Sequence, residues 1–216
     1  MIARWRGRIR EEGGFTLVEM SVALILSAMV VGTFVSVFFS FSQNAGDTTA
    51  KAEHQEMSRQ IVASLVVDLR QAVRAEANGY PIESLAPDRL VFYTISRDAT
   101  EPVRVIYERI GCVEGECTLQ VSRFAAVGFE DGDYEFSGAA FEQHALMRGV
   151  LADQPLFGGF DWVGDPKVKT TIVSCGSGAD CDFPLVSIAL RARPFGTSAG
   201  ARTTLEIREE VRLRNA

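Results

Sequence analysis

From Met20 to Phe41 the chain carries no Asp, Glu, Lys, Arg or His. At about 1.5 Å per residue a helix over that run is roughly 33 Å long, close to the ~30 Å hydrocarbon thickness of a bilayer. A run of this length and purity constrains the chain more than any other feature, because it reads as a membrane span. One residue disturbs it. Glu19 stands at its front edge, five positions after the pair Gly13-Gly14. A carboxylate inside a spanning helix costs roughly 2.5–3.5 kcal/mol on insertion scales, so something has to offset that cost.

The remainder of the 216 residues reads as one exported domain with enough length for its own core. Residues 1–14 hold Arg4, Arg6, Arg8 and Arg10 against Glu11 and Glu12, a net charge of +2, and the rest of the chain has a net charge of −8. An acidic domain behind a basic N-terminus lacks the cationic face that nucleic-acid binding needs. The arginines fit the positive-inside rule instead, with a cytoplasmic N-terminus and an exported C-terminal bulk. The N-terminus does not read as an ordinary secretory signal. Such signals are cut after the apolar core, beside small residues, and here the small residues precede it. A cut between Gly14 and Phe15 would remove only the basic leader and leave the apolar helix on the mature protein.

The helical pattern continues past the span. No proline occurs before Pro81, and Met57, Ile61, Leu65, Leu69 and Val73, joined by Val62 and Val66, form one apolar stripe. Asn78-Gly79 followed by Pro81 is a stop signal. The pattern predicts one helix from Phe15 to about Ala77, loosened near Asn44-Ala45-Gly46. The domain organisation that follows is a leader (1–14), a transmembrane helix (15–41), an amphipathic helix (42–79) and a β-rich domain (80–216).

The last part is predicted to be antiparallel. Arg89–Ile95, Pro102–Ile110 and Cys117–Phe124 are short β-branched and aromatic runs in meander order. Val168–Ser174, Pro184–Ala192 and Thr203–Arg214 read as three more strands. In the last of these, Leu205, Ile207, Val211 and Leu213 share one parity, with or without a bulge near Glu209 or Glu210. Residues 125–166 read as loops with a short helix at Ala139–Arg148. The fold class is therefore α+β, a long N-terminal helix against an antiparallel sheet. Cys112 with Cys117 and Cys175 with Cys181 are local pairs, and export makes two short disulfide loops the natural reading; the alternative is four reduced, partly buried thiols. Zinc is disfavoured, since the spacings are wider than CxxC and only His54 and His144 could serve as imidazole ligands.

There is no HExxH, Walker loop or CxxC in the sequence. The acidic run Phe129–Glu135 makes Asp131, Asp133 and Glu135 a weak calcium candidate, and a solvated turn is the plainer reading. His54 and His144 are expected on the surface. Neither an enzyme activity nor a cofactor is expected.

The segment from Gly13-Gly14 through Phe15-Thr16-Leu17-Val18-Glu19-Met20 resembles the N-terminal signature of type IV prepilins and of type II secretion pseudopilins. The tight match covers about a tenth of the chain, and a long helix followed by a β-rich domain extends it loosely to the rest. The resemblance implies a pilin-like fold and a prepilin peptidase that cuts between Gly14 and Phe15 and N-methylates Phe15. It also implies that Glu19 neutralises the N-terminal amine of a neighbouring subunit as helices bundle. The glutamate lies one turn from that amine and favours a helix N-terminus, and each charge would be expensive alone in lipid. Gly14 admits the peptidase to the backbone; Ser21, Ala23, Ser27, Ala28 and Gly32 suit close helix packing. The domain size, the Val211–Ala216 ending and the runs Asp68–Arg74, Asp88–Thr94 and Val103–Gly111 are similar to minor pilins and the J-type pseudopilin more than to major pilins. The implied partners are the peptidase, other pilins or pseudopilins met through the N-terminal helix, membrane lipid and an inner-membrane assembly platform. The implied location is the cytoplasmic membrane, then a filament or the cell surface. The competing expectation is a single-pass anchored binding protein that joins no filament.

Overall fold

The structure is a computed structural model that describes residues 15–75, 79–95, 101–164, 167–176, 181–193 and 204–213. The leader, including Gly14, and the stop-signal residue Asn78 lie outside these. The chain divides into two compact units, one ending at Gly46 and one beginning at Asp47. Helix α1 (Leu17–Arg70) is assigned across both, with no interruption at Asn44–Gly46. Every described residue of the first unit, Phe15 to Gly46, is exposed. The helix is long and apolar enough in this part to cross a membrane.

In the second unit, α1 buries one face. Ser58, Ile61, Val62, Leu65 and Leu69 are buried, at the i, i+3, i+4, i+7 spacing of an amphipathic helix. Met57, placed on this stripe by spacing, is instead 47% exposed, because the buried arc runs through Ser58. The helix stops at Arg70 rather than near Ala77. Its last carbonyls find partners outside the helix: Thr94 Oγ1 lies 3.2 Å from the Asp68 carbonyl and 3.3 Å from that of Gln71. The chain then pairs with a strand, with Ala72 bridged to Thr94 and Val73 N–H donating to the Tyr93 carbonyl at 2.9 Å. Strand pairing replaces helical bonding as the way to satisfy the backbone.

Ten strands follow among the described residues: β1 (Ile82–Ala86), β2 (Arg89–Ile95), β3 (Pro102–Val113), β4 (Glu116–Glu130), β5 (Asp133–Phe136), β6 (Glu142–Leu151), β7 (Phe157–Val163), β8 (Val168–Ile172), β9 (Leu185–Ala192) and β10 (Leu205–Arg212). All pairings are antiparallel, in the order β1-β2-β3-β4-β6-β9-β7-β8, with β10 on β9 and β5 on β4. The β2-β3-β4 meander is as expected. The helix expected at Ala139–Arg148 is instead strand β6, paired along β4, and residues 125–136 are the end of β4 and β5 rather than loop. No bulge interrupts β10, which pairs with β9 in unbroken register from Leu205↔Ala192 to Arg212↔Leu185. Two hairpins turn through residues with positive φ, Glu114-Gly115 (52° and 83°) and Asp131-Gly132 (54° and 97°), the left-handed pair that a two-residue turn between twisted strands requires.

Period-2 burial along β9 turns Val186, Ile188, Leu190 and Ala192 inward, where Ile188 and Leu190 join Leu119, Leu156 and Phe157 against Ile61, Val62 and Leu65. Strand β2 is buried on both faces, since Phe136 of β5 stacks on Tyr93 with centroids 5.1 Å apart. On that side Glu83 accepts from Tyr93 Oη at 2.8 Å and from Arg104 Nε at 2.6 Å. Burial alone would raise the Glu83 pKa, but its bonds to Arg104 and Tyr93 win and hold it below 4.5.

Just past β8 the chain returns to β1. Leu85 and Cys175 exchange backbone hydrogen bonds of 3.0 and 2.9 Å, the only bridge seen between these ends of the sheet among the described residues. Both expected disulfides are formed. Cys112–Cys117 clamps the β3–β4 turn, and Cys175–Cys181 ties the bridging residue to a buried cysteine 3.7 Å from the Glu83 carbonyl.

Two outcomes follow from these contacts. Replacing Cys175 and Cys181 by serine opens the seam: stability is expected to fall by about 2 kcal/mol, the loop-closure value for so short a loop, and the Leu85 amide to lose hydrogen-exchange protection. The Cys112/Cys117 double serine variant is expected to lose stability without exposing Leu85; equal exposure in both would contradict the local role. For pH, the lowered Glu83 pKa means its contribution is present above about pH 4.5 and is lost as pH falls through the folded value. The melting-temperature gap between the native chain and Glu83→Gln should therefore be widest near neutrality and close toward pH 3. A gap independent of pH would show that Glu83 acts without its charge.

Candidate functional site

The helix begins at Leu17, two residues later than the expected start at Phe15, and the reason bears on Glu19. Thr16 is the N-cap. Its Oγ1 accepts from the Glu19 N–H at 3.2 Å, while the Glu19 carboxylate accepts from Thr16 N–H and from Thr16 Oγ1, both at 3.0 Å. This is a reciprocal capping box, which satisfies orphan donors at both ends of the first turn. Phe15 precedes the cap and is 82% exposed. It is not stacked one helical turn below Glu19, as a helix starting at Phe15 would place it. The Thr-x-x-Glu spacing is the sequence signal of a capping box, and it adds a hydrogen-bonded role to the charge of Glu19. Other polar groups in the apolar helix are also closed locally, Ser21 Oγ on the Leu17 carbonyl at 2.9 Å and Thr33 Oγ1 on the Val30 carbonyl at 2.8 Å.

A second polar cluster lies where the last turn of α1 meets the sheet. The Asp68 carboxylate accepts from Tyr107 Oη at 2.9 Å and from Arg123 Nη2 at 3.0 Å, and Arg123 Nη1 donates to Glu142 at 2.7 Å. Burial pushes the Tyr107 pKa up, helped by the Asp68 charge. Burial works against the Arg123 charge, but its bonds to Glu142 and Asp68 outweigh that and raise its pKa. No motif marks this cluster in the sequence, because its members sit on four different elements. Beside it opens a cavity of about 310 Å³ lined by Val67, Asp68, Ile95, Arg123, Phe141 and Glu142, among others.

The other expected site residues lie apart. Asp131 occupies the left-handed turn before β5, and Asp133 and Glu135 are exposed on β5. Among the described residues no three His, Cys, Asp or Glu side chains come together to hold a metal ion. His144 is exposed on β6 with Nδ1 3.5 Å from Glu142, while His54 is half-buried on α1 rather than on the surface.

Nothing in the comparisons extends this picture: no protein-family model, no curated protein and no solved structure matches the chain.

The capping box yields its own test. Thr16→Ala removes the N-cap oxygen, worth about 1 kcal/mol, so amide exchange at Val18 and Glu19 in bicelles is expected to quicken about fivefold, with Thr16→Ser restoring the native rates. Unchanged exchange in Thr16→Ala would mean the helix start is held by something else.

Proposed function

We propose that the chain is a pilin-like subunit, a minor pilin or pseudopilin, that is cut by a prepilin peptidase between Gly14 and Phe15, methylated on Phe15, and assembled into a filament through its N-terminal helix. The observation that carries this reading is the fixed register of Gly14, Phe15 and Glu19 in front of an uncharged span from Met20 to Phe41. A helix able to cross a membrane and two disulfides in the β-rich unit agree with it, since disulfides belong to oxidising compartments outside the cytoplasm. The basic leader keeps the N-terminus cytoplasmic, which puts the disulfide-bonded unit on the far side of the inner membrane. The protein acts by packing rather than turnover.

The capping box sharpens the role of Glu19. Before cleavage its carboxylate is held by Thr16, so the charge enters the membrane surface already hydrogen-bonded. Cleavage creates a positive amine on Phe15, next to the N-cap. In a bundle of such helices the Glu19 carboxylate leaves Thr16 for the amine of a neighbour, exchanging a local cap for an ion pair that links two chains.

Coexpression with a prepilin peptidase tests the reading. The mature mass is expected to fall by Met1–Gly14 and rise by one methyl on Phe15. An intact N-terminus would leave the chain a single-pass anchored binding protein. Glu19→Ala is expected to be cut normally but to enter filaments at least about a hundredfold less, because an amine left unpaired away from water costs some 3–5 kcal/mol. Normal incorporation of that variant would remove the assembly role of Glu19.

A further inference from the structure

The cavity beside Asp68 combines features that no structural role uses. Val67, Ile95 and Phe141 leave 46%, 40% and 60% of their surface exposed and converge on one concavity. Its charged lining is two carboxylates and one guanidinium, Asp68, Glu142 and Arg123, a formal charge of −1, with the neutral polar residues Gln71 and Thr94 beside them. At about 310 Å³ it stands at the small end of ligand-pocket sizes.

This composition selects its occupant by exclusion. An anion would need Arg123, but both terminal nitrogens of Arg123 already donate to carboxylates, at 2.7 and 3.0 Å. A purely apolar plug would strip water from two carboxylates that a single guanidinium must then balance. A cation on an apolar stem avoids both penalties. Its methylene groups cover Val67 and Ile95, its head adds hydrogen-bond donors to Glu142 and Asp68, and the Phe141 ring offers a face for the charge.

We infer that this cavity, framed by Val67, Ile95 and Phe141 over the Asp68–Arg123–Glu142 cluster, receives an arginine or lysine side chain of a neighbouring polypeptide. That the neighbour is a companion subunit rests on the filament reading; the recognition chemistry does not, and it can be tested without processing or assembly.

The test uses the full chain in detergent micelles, observed by NMR and titrated with N-acetyl-arginine methylamide, N-acetyl-norleucine methylamide and spermidine. The arginine probe is expected to shift the resonances of Ile95 and Phe141 and to bind at least about tenfold tighter than the uncharged norleucine probe, a difference of 1.4 kcal/mol. Glu142→Gln and Phe141→Ala are each expected to weaken it by a similar factor, with near-UV circular dichroism verifying that both variants keep the native fold. Equal binding of norleucine, or undiminished arginine binding in both variants, would overturn the proposal. So would an absence of any shift at Ile95 and Phe141, and a preference for spermidine over arginine would replace the side chain with a free polyamine.

Discussion

One helix carries two kinds of surface, a fully exposed apolar one able to cross a membrane and a buried stripe, and the rest of the structure depends on the second. Over its first part α1 exposes every side chain and closes its polar groups on itself, through the Thr16–Glu19 box and the Ser21 and Thr33 hydroxyls. That is what a bilayer demands, since hydrocarbon offers no partners. Over its last part it buries Ile61, Val62, Leu65 and Leu69 and hands its terminal carbonyls to Thr94. The boundary between the two units falls at Gly46 and Asp47, and the buried face of the helix begins at Ser58.

The β-rich unit is built around that buried stripe. Among the described residues its core cluster joins the α1 face to residues of β1, β2, β3, β4, β6, β7, β9 and β10, so helix and sheet share one core. Arg123 and Tyr107 pin Asp68, in the last turn of the helix, to two strands. The Leu85–Cys175 bridge and its disulfide close the far ends of the sheet. These are polar fastenings at the rim of an apolar contact, placed where backbone groups would otherwise be left without partners.

Much of this was legible. The uncharged run, the amphipathic stripe, the β2-β3-β4 meander and both disulfides followed from period, composition and spacing. The misses have physical causes. Strand β6 is rich in helix formers such as Ala145, Leu146 and Met147, and only pairing with β4 overrides that preference. Strand β7 carries Gly158-Gly159, which argues against a strand until one sees that a Cβ on Gly159 would lie 3.0 Å from the Phe183 ring and one on Gly158 2.9 Å from Ser187 Oγ. The β5 hairpin is signalled by Asp131-Gly132, a strong turn pair, but its glycine-rich, acidic surroundings have no clear period and read as loop. At the site, a helix expected from Phe15 places Thr16 inside the helix and so hides its capping of Glu19; the cluster around Asp68 is not legible at all, since nothing local brings residues 68, 107, 123 and 142 together.

The account turns on where the Glu19 carboxylate resides before and after assembly. Magic-angle-spinning NMR can read this directly, with carboxyl-13C glutamate in this chain and a 15N-labelled N-terminal amine in companion subunits. In the unprocessed monomer the Glu19 carboxyl carbon is expected to couple to the Thr16 amide and to no amine. In assembled filaments it is expected to show a strong dipolar contact to the amine of a neighbouring chain and to lose the Thr16 contact. A Glu19 carboxylate that stays on Thr16 in the filament, with no contact to a neighbour's amine, would show that the glutamate is a helix cap and nothing more.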